Sequence, residues 1–257
     1  MQRVVVITGA SAGIGAATAR ELAARGELVV LAARRTEALR AIVRELGDAA
    51  HVVTADVTER RDVERIRDEA IREFGCIDAW INNAGRGIVR PTLDLTDEDI
   101  DAMITVNVKS ALYGMQVIAP HFEQRGKGHI VNVSSFLTRV PVASLRSAYS
   151  ASKAALNILT ANARMDLRRS SPGIYVTLVL PGLVSTEFAA HALWSTGATP
   201  PGPIGSPMTS QTPGQVATAI ADVLGTPVAE LYTNPASAAL VSRYYEDVGA
   251  FEDAQLR

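Results

Sequence analysis

Short apolar, largely β-branched runs recur along the chain, separated by stretches in which apolar residues fall at every third or fourth position. The runs are "RVVVITG" (3–9), "ELVVLAAR" (27–34), "HVVTADV" (51–57), "IDAWINN" (77–83), "GHIVNVSS" (128–135) and "IYVTLVLPG" (174–182). They are apolar almost throughout instead of alternating with polar residues, as expected of strands covered on both faces. The segments "TEALRAIVRELG", "ERRDVERIRDEAIREFG" and "SKAALNILTANARMDLRR" carry helical spacing and predict crossover helices. Strands alternating with helices predict a parallel sheet, hence an α/β fold, doubly wound with helices on both faces. No repeat or linker interrupts this order, so residues 1–257 are read as one domain, a length that can bury a substantial core. One stretch breaks the pattern: Pro200, Pro201, Pro203, Pro207 and Pro213 rule out regular structure across 196–214. Residues 187–213 are therefore expected to form a substrate lid, with Phe188, Leu193, Trp194, Ile204 and Met208 as an apolar wall.

Composition narrows the partners. Lys plus Arg number 25 against 27 Asp plus Glu, a net charge of −2, so no strong field draws the chain to nucleic acid or an anionic membrane. Small molecules become the expected partners. The lone Cys76 cannot form an internal disulfide, and no stretch reads as a signal peptide or a bilayer-length apolar run. The expectation is a soluble, cytoplasmic protein. His51, His121, His129 and His191 show no paired spacing, which gives a metal site no support. Trp80 interrupts the fourth apolar run and is read as a core residue.

The first turn is where chemistry enters. "TGASAGIG" (8–15) follows the first strand and opens a helical run; Gly9, Gly13 and Gly15 allow a tight turn and close approach of a ligand. The helix start then offers unpaired N–H groups to a pyrophosphate, against the competing reading of an ordinary Gly-rich turn. About twenty residues on, where NAD sites place an acidic residue for the ribose, this chain has "AARR". Arg34, ahead of Arg35, is read as binding a 2′-phosphate, which favours NADP(H) over NAD(H); a solvated basic helix start is the alternative. Tyr149 and Lys153 stand at i and i+4 in "AYSASK", so on a helix they share one face and could form an acid/base pair. A tyrosine packed under a surface lysine would give the same spacing. Ser134 and Ser135 point to opposite faces at a strand end, so only one can serve a site beside that tyrosine.

"TGASAGIG", "NNAG" (82–85), "VNV" around Asn107, "NVSS" (132–135), "YSASK" (149–153) and "PGLVST" (181–186) occur in one order. In these motifs the chain resembles the classical short-chain dehydrogenase/reductase family over nearly its whole length. The resemblance implies a single-domain Rossmann fold binding NAD(P) and a tetrad of Asn107, Ser135, Tyr149 and Lys153. Tyr149 would exchange the proton and Ser135, the family's choice of the two serines, would hydrogen-bond the substrate oxygen. Lys153 would bind the nicotinamide ribose and lower the tyrosine pKa, and Asn107 would hold a water. By the same motifs Ser11 and Ile14 join the glycines around the phosphates, Asp56 and Val57 contact the adenine, and Asn83, Ala84 and Gly85 flank the cofactor. Pro181, Gly182, Val184 and Thr186 would lie along the nicotinamide, Thr186 at its carboxamide. Capping is the competing role for Asn83 and Thr186.

The family pattern and the phosphate reading together imply an NADPH-dependent carbonyl reductase, reversible as a secondary-alcohol dehydrogenase. The substrate would be a ketone or secondary alcohol with hydrophobic bulk, and the "YSASKAALNILTANARMDLRR" helix, apolar or small on most sides, would assemble a homodimer or homotetramer. The alternatives are a non-catalytic dinucleotide-sensing or scaffold protein, against which the intact tetrad argues, and a sugar-nucleotide epimerase. Residues 235–257 extend beyond the Gly-rich tail on which the family's acyl-carrier-protein reductases end, and predict an extra helix. Arg139 and Arg146, between the serine and the tyrosine, are read as solvated loop arginines, with recognition of an anionic substrate as the other possibility.

Overall fold

The computed structural model describes residues 2–188, 190–194 and 209–255. One parallel sheet runs through it, built from β1 (Val4–Thr8), β2 (Leu28–Ala33), β3 (Ala50–Thr54), β4 (Ala79–Asn82), β5 (Gly128–Val133), β6 (Ile174–Leu180) and β7 (Glu230–Tyr232) in the order β3-β2-β1-β4-β5-β6-β7. The six strands read from the apolar runs are present with shorter bounds; β3 starts one residue before its run and ends at Thr54, and β4 leaves out Ile77 and Asp78. β7, at the sheet edge, is not among the runs read from the pattern and lies just before the C-terminal extension.

The continuous apolar runs are explained by the two layers they bury. Val5, Ile7, Val29, Leu31 and Ile81 face α1 (Gly13–Ala24), α2 (Thr36–Leu46) and α7 (Pro213–Gly225), through Leu22, Leu39, Ile42, Val216 and Ile220. Val4, Val6, Val30, Trp80 and Ile130 face α3 (Arg60–Phe74), α5 (Ser110–Arg125) and α6 (Ser147–Ser170), through Ile66, Ile118, Phe122 and Leu159. Alternate residues of the inner strands thus meet opposite helix layers, so a polar residue buried there needs a buried partner, whereas Thr54 of β3 and Glu230 of β7 reach solvent.

Trp80 is fully buried, as expected, and its indole N–H donates to Asn82 Oδ1 at 2.8 Å. Asn82 Nδ2 donates to Asn132 Oδ1, and Asn132 Nδ2 to Thr160 Oγ1, both at 2.8 Å, so a buried polar chain crosses from β4 to α6. Gly114 of α5 makes room for it: a Cβ there would stand 2.1 Å from Asn82 Oδ1 and 2.7 Å from Trp80 Nε1. Gly114→Ala is expected to destabilise the protein by about 1–3 kcal/mol through this overpacking. An unchanged urea midpoint would contradict it.

The crossover from β4 to β5 is not among the segments read from the pattern. It consists of α4 (Asp97–Ile104), a π-helical turn at Thr105–Lys109 and α5. Its apolar residues do not keep one helical stripe, because the π turn inserts an extra residue and shifts the phase. At the C-terminus the chain adds α8 (Ala236–Glu246) and α9 (Val248–Gln255), two helices where one was expected. Leu240 and Phe251 of this pair pack on Phe136 and Val140, the segment that follows Ser135.

Strand order reverses between β1 and β4, and an open α/β sheet presents a crevice there, beyond the carboxyl ends of the strands. No helix among the described residues is long and apolar enough to cross a membrane.

Candidate active site

The loop from β1 into α1 forms one wall of that crevice. Gly9 has φ +66°, and a Cβ there would lie 2.8 Å from Ala84 Cα, so both its conformation and its neighbour require glycine. At Gly15 a Cβ would meet Gly9 O at 2.5 Å. α1 begins after Ala12 with no side-chain cap and no acidic residue in its first turn. Its first N–H groups, including those of Gly13, Ile14 and Gly15, are therefore left for an external anion, which fits a nucleotide phosphate. A cavity of about 570 Å³ opens beside this loop, lined by Ser11, Gly13, Arg20, Arg35 and Thr186. It belongs to the phosphate end and does not reach Tyr149.

Ala33 ends β2, and Arg34 and Arg35 follow it as exposed residues. Arg35 Nε donates to Ser11 Oγ at 3.1 Å, so of the two arginines it is Arg35 that lies against the glycine loop here. Asp56 and Val57 lie beyond the end of β3 instead of within it. Asp56 Oδ1 accepts from Thr58 N and Oγ1, while Val57 packs on the core. Asn83 has the capping role: its Nδ2 donates to Thr8 O and Gly9 O, tying β4 to the glycine loop. Ala84 N donates to Thr8 Oγ1. Across the crevice Pro181 O accepts from Phe136 N, Gly182 is half-buried and Val184 bridges to Gln211. Thr186 Oγ1 accepts from Phe188 N at 3.3 Å, and its methyl would touch a Cβ on Gly13.

The four tetrad positions converge. A Cβ on Gly85 would stand 3.1 Å from Asn107 Oδ1 and 3.4 Å from Lys153 Nζ. Asn107 is buried in the π turn, where Oδ1 accepts from Arg86 N and Nδ2 donates to Arg86 O, both at 2.9 Å. The extra residue of a π turn re-aims one side chain, and such turns recur at functional sites. Ser134 Oγ donates to Asn157 Oδ1, so this serine faces α6, whereas Ser135 Oγ accepts from Leu137 N and lies at the phenol. The opposite-face argument thus separates the pair as stated.

Ser152 connects two of the four and was not singled out from sequence. Its hydroxyl donates to Tyr149 O at 2.7 Å and accepts from Asn107 Nδ2 at 3.0 Å. Its position one helical turn after Tyr149 was the available signal.

Burial pushes the Tyr149 phenol up, and a hydrogen bond with the Ser135 side chain and the charge of Arg146 pull it down. Lys153, the residue expected to lower the phenol pKa, is buried as well. Its Nζ donates to Val133 O at 2.8 Å, and burial brings its pKa down to about 8. An unfolded lysine keeps its proton to about 10.5, so between about 8 and 10.5 the unfolded chain binds more protons than the folded one. Stability should therefore rise with pH across that window, and the full cost of the buried charge is present below about 8. The stability of Lys153→Met relative to the wild type is expected to be greatest at about pH 7 and to shrink as pH rises through the window. A difference independent of pH, by urea unfolding, would show that the ammonium charge is not its origin.

Ile88, Met103, Leu137, Phe188 and Leu193 surround Tyr149, with the Phe188 ring edge-on to the phenol at 5.6 Å. Two of the five residues named for the lid wall are thus in place. Trp194 is not: it is 64% exposed, its Nε1 donates to Asp99 Oδ1 and Arg90 lies over its ring. An indole N–H needs an acceptor, and the Arg90–Asp99 pair supplies one away from the phenol. Ile204 and Met208 lie outside the described residues. His121 accepts from Ile77 N and His129 pairs with Thr177; no cluster that could hold a metal occurs among the described residues.

Residues 3–194 match the family model described as short chain dehydrogenase. The uncharacterized oxidoreductase YxnA of Bacillus subtilis is 40% identical over 195 residues, 74% of this chain, and the chain spans about half (54%) of that relative's length. A short chain dehydrogenase/reductase from Burkholderia phymatum in complex with NAD superposes with a TM-score of 0.86 at 28% identity, covering 97% of this chain and 95% of that one. The closed form of a serine dehydrogenase complexed with NADP+ gives a TM-score of 0.80 at 30% identity, over 90% of this chain and 94% of that one.

Proposed function

The chain belongs to the short chain dehydrogenase family and is an NAD(P)-dependent oxidoreductase, and on that premise we propose that it is an NADPH-dependent carbonyl reductase, reversible as a secondary-alcohol dehydrogenase. The observation that carries this reading is the convergence of Tyr149, Ser135, Lys153 and Asn107 beside the crevice that the glycine loop lines. When bound, NADPH supplies a hydride to the carbonyl carbon. Tyr149 gives its proton to the carbonyl oxygen, so ketone, hydride and proton become a secondary alcohol, and the phenolate regains its proton from solvent. Ser135 hydrogen-bonds the same oxygen and holds it at the phenol. Lys153 holds the nicotinamide ribose, and Asn107 keeps the Arg86 backbone and a relay water in place. The glycine loop with Ser11 and Ile14 takes the pyrophosphate, Arg34 and Arg35 the 2′-phosphate, and Asp56 and Val57 the adenine. Asn83, Ala84, Gly85 and the 181–186 segment line the nicotinamide end.

Phe188 and Leu193 beside the phenol favour a substrate with hydrophobic bulk. The near-neutral charge of −2 and the absence of a spanning helix among the described residues fit a soluble, cytoplasmic role. Carbonyl-dependent NADPH oxidation across a panel of ketones, quinones and keto-steroids tests the reading. NADPH binding without turnover of any carbonyl would favour the non-catalytic alternative.

Ile158 and Met165 are 65% and 57% exposed on α6, a helix that packs on the sheet through Leu159, Ala163 and Leu167. Their exposure supports a homodimer or homotetramer assembled through this helix. Light scattering at micromolar concentration is expected to give two or four chain masses, and a single chain mass would overturn the assignment.

A further inference from the structure

Arg139 and Arg146 lie on the segment between Ser135 and Tyr149, and the fold treats them differently. The Arg139 guanidinium donates to both oxygens of Glu230, at 2.7 and 2.8 Å. Arg90 is likewise committed, to Asp99 and to the Trp194 ring, and Lys153 to Val133 O. Arg86, past the end of β4, is exposed to solvent. Arg146 is half-buried, yet among the described residues its side chain makes no hydrogen bond and no ion pair. Residues 195–208 contain no Asp or Glu, so that stretch brings no side-chain carboxylate to it either.

Nothing in the fold rewards this placement. Arg146 is the N-cap residue of α6, no acidic residue stands in the first turn, and a cation at a helix N-terminus opposes the helix dipole. Burial lowers its pKa, with the Tyr149 phenol as the opposing influence, so the two groups feel each other. Positions three apart at a helix start share a face, with Cβ atoms on the order of 5–6 Å apart. An unpaired, half-desolvated guanidinium one helical turn before the phenol is a charge whose partner comes from outside the chain.

We propose that Arg146 binds a carboxylate on the substrate, so that the carbonyl handled at Tyr149 carries an anionic group a few bonds away. This rests on the carbonyl reductase reading and names the substrate class within it: keto acids and the corresponding hydroxy acids. A carboxylate matches the site better than a phosphate. One guanidinium neutralises its single charge, whereas a dianion would leave a second charge against Phe188 and Leu193. The helix N-terminus that disfavours the arginine favours its bound anion.

The test compares a β-keto acid with its methyl ester as substrates of the NADPH-loaded protein. The wild type is expected to prefer the acid in kcat/KM. Arg146→Gln should cut the acid-to-ester ratio by roughly ten- to a hundredfold, chiefly through the KM of the acid, and Arg146→Lys should recover part of it. A wild type that reduces the ester and not the acid would leave the reductase reading intact and overturn the Arg146 assignment. So would a ratio that Arg146→Gln leaves unchanged. If neither compound is reduced, calorimetric binding of the β-hydroxy acid to the NADP+-loaded protein still decides, and the wider ketone panel tests the reductase reading separately. Tighter binding of the acid than of its ester, lost in Arg146→Gln and partly kept in Arg146→Lys, would uphold the assignment; equal binding would overturn it.

Discussion

Tyr149→Phe is expected to lower kcat by roughly 10²–10⁴-fold, the range typical of a lost general acid or base, while leaving NADPH affinity within about threefold of the wild type. The phenol is buried, with the Phe188 ring against it and Ala148, Ile88 and Met103 packed around it. A phenylalanine fits the same space, so the variant removes one hydroxyl and its hydrogen bond with Ser135 but no packing. The glycine loop, Arg34 and Arg35, where most of the cofactor affinity is assigned, lie on other elements and should not respond. Single-turnover kinetics with an accepted ketone, together with NADPH binding by fluorescence, separate the two effects. A variant that kept more than about a tenth of the wild-type kcat would remove Tyr149 from the proton-transfer role.

The second large effect concerns cofactor choice. The 2′-phosphate of NADPH carries nearly two negative charges, and on the proposed reading the end of β2 would meet it with Ala33, Arg34 and Arg35 where a carboxylate would repel it. Charge-assisted contacts of this kind are worth about 1.5–3 kcal/mol, or roughly ten- to a hundredfold in affinity. The wild type is expected to prefer NADPH, and Arg34→Ala to weaken NADPH far more than NADH. Ala33→Asp combined with Arg34→Ala should reverse the preference by adding a ribose acceptor and a repulsive charge. Arg35, which rests on Ser11, is the second arginine to test, because it already lies over the phosphate loop. The measurement is kcat/KM for both cofactors with one ketone. Equal values in the wild type would show that the two arginines only begin a solvated helix.

Much of the crevice was legible because its signals are local. The glycine pattern of 9, 13 and 15, the apolar runs and the Tyr149–Lys153 spacing each state a backbone requirement within a few residues. Asn107, Ser135, Tyr149 and Lys153 were recognised by motif, and the chain brings them to one end of the sheet. The π turn that re-aims Asn107 was not legible, since a one-residue change of phase inside an apolar helix leaves no periodicity to detect. Nor was Trp194, whose hydrophobic character suggested a wall while its N–H sought Asp99.

By itself, then, the sequence determined the alternation of strands and helices, the phosphate loop and the acid/base spacing, because these depend on periodicity and on the stereochemistry of neighbouring residues. The tertiary structure alone decided which arginine is neutralised and which is not. Arg139 and Arg146 stand in the same loop and looked alike, but Glu230 arrives beside the first on β7 while no carboxylate among the described residues reaches the second. It also decided that Lys153 turns to Val133 and that Asn83 ties β4 to the glycine loop. Such pairings depend on which distant strand ends the sheet order brings together, and on burial that makes an unpaired polar group costly; neither quantity is written in the residues that surround the group.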